Sequence, residues 1–143
     1  MVLSLGLGCK DDVRGTVSSQ QTLFIIDDHE RLRLQLSRFL AAEPELLVIG
    51  TAASAEETLS SLPETWPDLF LVDVSLPGMN GLELIHKLLE LNSESKCLVL
   101  TGNSETIYKG LAKAKGAVGL IEKSDIDHLR EAIQTILDGN EYW

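Results

Sequence analysis

The sequence predicts an open α/β fold: a parallel sheet of five strands with five helices laid over its two faces. Three observations carry this. Short β-rich apolar runs alternate strictly with segments of helical period, five of each, between Thr22 and Gly139. The strand runs are apolar almost throughout, as strands buried on both faces must be. The chain has 143 residues, one domain's worth, enough to bury a real core.

The elements follow in order. "TLFII" (22–26) reads as the first strand. "ERLRLQLSRFLAA" (30–42) sets Leu32, Leu36, Phe39 and Leu40 at helical spacing, and Pro44 forces a break soon after. "LLVIGTA" (46–52) is the second strand. "SAEETLSSL" (54–62) opens with Ser54 and has Glu57 three residues on, the pattern of a capping box at a helix start. "PDLFLVDV" (67–74) is the third strand, "SLPGMN" a turn, and "GLELIHKLLEL" (81–91) the third helix. "KCLVLTG" (96–102) is the fourth strand. A helix over 104–116 is expected to start at Ser104 and stop near Gly116. "AVGLIEK" (117–123) is the fifth strand. The last helix, 124–139, aligns Ile126, Leu129, Ile133, Ile136 and Leu137 on one face and stops at Gly139. Residues 1–21 show no sustained period and read as a flexible leader or tag. "MVLSLGLGCK" lacks the basic start of a signal peptide.

Composition narrows the function. A net charge of −10 is a poor match for a phosphate backbone, so direct nucleic-acid binding by this segment is not expected. No stretch approaches the ~20 apolar residues of a membrane span. Cys9 and Cys97 form no C-x-x-C pair and read as reduced thiols of a cytoplasmic protein.

Sites in open α/β sheets form at the carboxyl ends of the strands. Strand one ends in Asp27 and Asp28, strand three in Asp73, strand four in Thr101 and strand five in Lys123. Taken singly, an aspartate at a strand end is most often a cap, a threonine a turn hydroxyl, and a lysine a solvated charge. Five such residues at one sheet edge are hard to explain that way. Three crowded carboxylates repel one another unless a hard divalent cation sits among them, and Mg²⁺ suits oxygen ligands. A cation and a lysine beside a carboxylate make a pocket for a phosphoryl group.

With these residues in view, the chain resembles a receiver domain of two-component response regulators over about residues 22–140. The resemblance rests on "IIDDH" (25–29), "LVDVSLPGMNGLELI" (71–85), "VLTGNS" (99–104) and "GAVGLIEKS" (116–124). It implies a flavodoxin-like, doubly wound sheet of order 2-1-3-4-5 in three α/β/α layers. It implies that Asp73 is the phosphoacceptor, taking a phosphoryl group from a sensor histidine kinase or phosphotransfer protein. Asp28 would ligate Mg²⁺ directly, Asp27 would ligate it through water or orient the site, and Asp73 and the Ser75 backbone carbonyl would complete the set. Lys123 would pair with Asp73 and then with the phosphoryl oxygens, while Thr101 would turn its hydroxyl onto the phosphoryl group. Pro77, Gly78, Asn80 and Gly81 would shape the loop after the acceptor. Such a domain catalyses only its own phosphorylation and dephosphorylation.

Two positions depart from the usual pattern. Receivers commonly carry an aromatic or histidine three residues before the lysine, where this chain has Leu120. The usual switch through that ring is thus in question. Ser124 replaces a frequent proline, as in the branch that precedes a helix-turn-helix DNA-binding domain, and "AIQTILDGNEYW" resembles the close of receivers in that branch, with 141–143 starting a linker. That branch implies a role in transcription regulation. Ile107, Leu111 and Ala114 share one face of the fourth helix. Most of that face is expected to pack on the sheet, and a helix 4–strand 5–helix 5 surface is the expected homodimer face. Two other classes compete: a pseudo-receiver that binds partners without phosphate chemistry, and an aspartyl-nucleophile hydrolase. The hydrolase needs a second acid two residues after its nucleophile, where this chain has Ser75.

Overall fold

A computed structural model describes residues 20–102 and 106–143. The expected leader up to residue 19, with Cys9, lies outside these residues, as do Asn103 and the expected cap Ser104. Within them the alternation holds. Strands β1 (Gln21–Ile26), β2 (Leu46–Ala52), β3 (Leu69–Asp73), β4 (Cys97–Thr101) and β5 (Gly119–Glu122) alternate with helices α1 (Glu30–Ala41), α2 (Ala55–Ser60), α3 (Gly81–Leu91), α4 (Thr106–Ala114) and α5 (Leu129–Leu137). All neighbouring strands pair in parallel, in the order β2-β1-β3-β4-β5. This is the flavodoxin-like order expected from the sequence.

The sheet is buried on both faces, which is why its strands carry no polar alternation. On one side Leu23, Ile25, Leu69, Leu71, Leu98, Leu100 and Ile121 pack under α1 and α5 through Leu36, Leu40, Leu129, Ile133 and Ile136. On the other, Phe24, Ile26, Phe70, Val72, Cys97 and Val99 pack under α2, α3 and α4 through Ala55, Leu84, Ile85, Leu88 and Ala112. Each fully buried Leu, Ile or Phe is worth about 1.5–3 kcal/mol over the exposed side chain. Burial also pushes the Cys97 thiol up to about 12, so it stays protonated and unreactive. Edge strand β2 is bulged at Ile49, because the register steps between Leu23↔Val48 and Phe24↔Gly50.

Caps fix the helix starts. Ser54 Oγ accepts from the Glu57 N–H at 3.0 Å, while the Glu57 carboxylate accepts from the Ala53 N–H at 2.8 Å, one residue upstream of the reciprocal bond the sequence suggests. The complete capping box opens α3 instead, with Asn80 and Glu83 bonded both ways, on an N-x-x-E signature that stands in the sequence. Gly116 and Gly139 have positive φ (99° and 100°) at the helix ends where the sequence expects stops.

Three expectations need correction. The segment 124–139 is not one helix: Lys123–His128 form a 3-10 helix, with Asp125 outside helical φ/ψ, before α5 begins. β5 accordingly ends at Glu122, and Lys123 opens the 3-10 helix rather than closing the strand. The face of Ile107, Leu111 and Ala114 does not pack on the sheet; Ile107 is 64% and Leu111 44% exposed. Tyr108 and Ala112 face the core instead, because the turn of α4 is set by the sheet under it. Residues beyond α5 fold back along the sheet: Tyr142 pairs in parallel with Gly119 on the outer edge of β5.

Candidate functional site

The carboxyl ends of four strands bring the predicted residues to one place. Asp27 follows β1 and stays beside β2 through its N–H to the Ala52 carbonyl (3.1 Å). Asp73 ends β3, with the next residue held to β4 by the Val74 N–H to Leu100 carbonyl bond (3.0 Å). Thr101 ends β4. Asp27 and Thr101 are wholly buried and Asp73 is 1% exposed. The 3-10 helix directs Lys123 inward, so that its Nζ lies 2.9 Å from Asp27 Oδ2 and 3.0 Å from Asp73 Oδ2. Among the described residues those two Oδ2 atoms have no hydrogen-bond partner besides that ammonium. Asp28 projects outward beside them, more exposed than either. Ser75 sits two residues past Asp73 and donates its N–H to Asp73 Oδ1 at 2.9 Å, which orients the carboxylate.

Gly81 explains the tight loop after Asp73. A Cβ at this position would lie 2.1 Å from the Asp73 carbonyl oxygen, so only glycine lets α3 start against the end of β3. The loop is also held from α2, where Glu56 Oε2 accepts the Met79 N–H at 3.0 Å. That backbone bond, on an exposed carboxylate, holds the Glu56 pKa below the ordinary value.

Electrostatics follow from burial. Asp73 is raised above the usual carboxylate range, chiefly by desolvation; the Ser75 N–H and Lys123 pull the other way, and the Asp27 charge adds to the rise. Desolvation also opposes the charge on Lys123, but its hydrogen bonds and attraction to Asp27 and Asp73 prevail and raise its pKa. The two shifts favour opposite outcomes for the pair, the lysine charged and the aspartate only reluctantly so. One ammonium serving two buried carboxylates accounts for both.

Such a site is short of positive charge, which is what a divalent cation supplies. Asp27, Asp28, His29 and Asp73 each offer a ligand atom, and these atoms lie within 4.8 Å of one another. The set is dominated by carboxylate oxygens, two of them starved of hydrogen bonds, and fits a hard ion such as Mg²⁺. Sequence reasoning misses His29, although it directly follows Asp28. Its Nδ1 lies 3.1 Å from Asp27 Oδ1 and 3.3 Å from Asp28 Oδ1. It misses Arg33 too, whose guanidinium donates to the Asp27 carbonyl at 2.7 Å and fixes the turn into α1. Only the spacing of Arg33, one helical turn past His29, could signal it. Glu56 carries no local signal, since its partner lies 23 residues away. Leu120 is half-buried in β5, packed on the core under α2, α3 and α4.

The profile of the response regulator receiver domain matches residues 23–134. The chain belongs to that family. It is 39% identical over 101 residues to the DNA-binding transcriptional activator DevR/DosR of Mycobacterium tuberculosis, covering 71% of this chain and 46% of that protein. It is 32% identical over 121 residues to the transcriptional regulatory protein DegU of Brevibacillus brevis, covering 84% and 51%. Among solved structures, a LuxR-family two-component response regulator from Aurantimonas sp. SI85-9A1 superposes with a TM-score of 0.83 at 29% identity, covering 87% of this chain and 90% of that one. The chain spans about half the length of the curated relatives it matches. It is thus the receiver domain of a two-component response regulator, in the branch of the LuxR, NarL and DegU regulators. Among the described residues no helix is long and apolar enough to cross a membrane.

Proposed function

We propose that this receiver, residues 22–140, accepts a phosphoryl group on Asp73 from a phosphohistidine of a sensor kinase or phosphotransfer protein. The observation that carries this reading is the Lys123 ammonium shared between Asp27 and Asp73, with Thr101 buried at the adjacent strand end. The Ser75 N–H holds Asp73 Oδ1, which leaves Oδ2, paired only with Lys123, as the attacking atom. As the Oδ2–P bond forms, the P–N bond of the phosphohistidine breaks. Its electron pair stays on the imidazole nitrogen, which then takes a proton. Lys123 moves from the carboxylate onto the phosphoryl oxygens, with Asp27 retaining part of its charge. Thr101 donates its hydroxyl to a phosphoryl oxygen. Asp28, Asp27, Asp73 and the Ser75 carbonyl are the residues that would hold Mg²⁺, whose charge would neutralise the phosphoryl oxygens. Hydrolysis reverses the state: water attacks phosphorus and the carboxylate is restored.

A cleft lined by Leu32, Phe39 and Ile126 opens beside Lys123 and offers the phosphodonor protein an apolar seat next to the reacting atoms. The branch of the relatives supports a cytoplasmic role in transcription regulation, carried out by chain other than this acidic segment. The exposed Ile107 and Leu111 of α4 suit a switched homodimer face with β5 and α5.

The experiment is incubation of wild type and Asp73→Asn with a small acyl phosphate and Mg²⁺, followed by intact mass. A single adduct on wild type alone is expected. Equal labelling of both would overturn Asp73 as acceptor, and no labelling would make the domain an interaction module without phosphate chemistry. Rapid turnover of the donor without adduct would make it a hydrolase.

A further inference from the structure

The edge of the sheet beside α4 is covered by the chain's own residues. After α5 the backbone turns at Gly139, with the Asn140 N–H bonded to the Thr135 carbonyl at 3.1 Å. It then runs back along β5. The Tyr142 N–H donates to the Val118 carbonyl at 2.9 Å, and the Leu120 N–H donates to the Tyr142 carbonyl at 3.0 Å. The approach is close: a Cβ on Gly119 would lie 2.7 Å from the Tyr142 oxygen. Successive side chains then fall on opposite faces of the sheet, as in any strand. Tyr142 packs with the core under α1 and α5, and Trp143 packs with the core under α2, α3 and α4. On that second side Trp143 joins Leu120 and Tyr108 in one cluster, and the Lys113 ammonium of α4 stands 4.9 Å from the centre of its indole.

We propose that the β5 edge and α4 form a docking site for residues 140–143, and that Trp143, seated there, is the aromatic read-out that Leu120 lacks. This rests on the reading of Asp73 as phosphoacceptor. Leu120 has no ring to swing, and its N–H is committed to Tyr142. The indole at the same edge is held by a main-chain pairing on one side and by α4 on the other. α4 is itself lightly fastened: of its side chains described, Ala112 is buried and Tyr108 partly buried, while Ile107 and Leu111 face outward. A helix with so little buried surface shifts at low cost. When Thr101 turns toward a phosphoryl group it pulls on the chain that leads from β4 into α4. The Lys113–indole contact and the Tyr108 packing then change together, and Trp143 is reseated or released. A small displacement at the acceptor becomes a change in the path of the chain that follows α5.

The test uses the whole 143-residue chain with 5-fluorotryptophan at both tryptophans, read by ¹⁹F NMR as beryllofluoride and Mg²⁺ are added. Trp143→Phe assigns the two resonances. Trp66, bonded to Ser95 at the opposite end of the strands, is the internal control. The same spectrum shows whether beryllofluoride is bound. The expected result is a bound fluoride signal, a Trp143 resonance that shifts with the same midpoint, and a Trp66 resonance that does not move. Tyr142→Pro deletes the N–H given to Val118 and takes the Tyr142 ring off the core under α1 and α5, while leaving the residues at the strand ends unchanged. In that variant beryllofluoride should still bind, with the Trp143 resonance at its released position before and after. Bound beryllofluoride with an unmoved Trp143 resonance, or a Tyr142→Pro protein that responds like wild type, overturns the proposal. A missing bound signal overturns the Asp73 reading on which it stands.

Discussion

Burying the Asp73 carboxylate costs stability. Its pKa is raised from an ordinary value of 3.8, so the folded state holds its proton more tightly than the unfolded state. Stability therefore falls as pH rises from the unfolded to the folded value, and the cost is fully present above the folded value. Asp73→Asn should raise stability at pH 7 without metal by about 1 kcal/mol, the scale of one poorly satisfied buried polar group. Thermal melts of the two proteins should converge as the pH is lowered through the carboxylate range; a gap independent of pH would contradict desolvation of the Asp73 charge as its origin. Gly81→Ala meets the Asp73 carbonyl rather than a side chain that can move aside, and should cost about 3 kcal/mol in urea unfolding. A destabilisation of a few tenths would mean the loop yields easily. At this scale Asp73, Thr101 and Lys123 are legible in the sequence because each stands at a strand end or directly after one. His29, Arg33 and Glu56 are not, because each acts through a backbone group or a neighbour that only the folded turn brings close.

At the scale of elements, local sequence determines starts and stops, while tertiary packing decides which face turns inward. Ser54 starts α2 as written in the sequence, though Glu57 reaches Ala53 instead of closing the box, and Ser54→Ala should cost about 1 kcal/mol, measured by denaturant midpoint. The inward face of α4 is not legible because Ile107 and Leu111 look like core residues by period alone, whereas the sheet beneath accepts Tyr108 and Ala112. The 3-10 helix at Lys123–His128 is hidden for a related reason: a hydrophobic period runs smoothly through it, and the break lies in the backbone at Asp125. The bond from Glu56 to the Met79 N–H links α2 to the loop that bears Ser75. Glu56→Ala should weaken Mg²⁺ binding and lower the melting temperature, while Glu56→Gln, which keeps an acceptor oxygen, should recover most of both. Equal losses in the two variants would show that the charge, and not the bond to the loop, is what counts.

At the scale of the molecule, the topology is legible because strands buried on both faces admit few architectures, and the resemblance supplies their order. The return of Tyr142 along β5 is not, since the six residues after α5 carry no pattern of their own and the pairing depends on an open sheet edge. The carboxylates gathered by that topology repel one another, so a bound cation should stabilise the whole domain. Saturating Mg²⁺ should raise the melting temperature of wild type and raise that of Asp28→Ala much less; equal shifts would place the ion elsewhere. The central claim is that the strand ends converge to make Asp73 a phosphoacceptor. Borohydride trapping tests it most directly, because an acyl phosphate is reduced to an alcohol while a free carboxylate is not. After treatment with a small acyl phosphate and Mg²⁺, then borohydride, peptide sequencing by mass should find homoserine at position 73 and intact aspartate at 27 and 28. Homoserine at another aspartate, or none anywhere after confirmed exposure to the donor, would contradict the account.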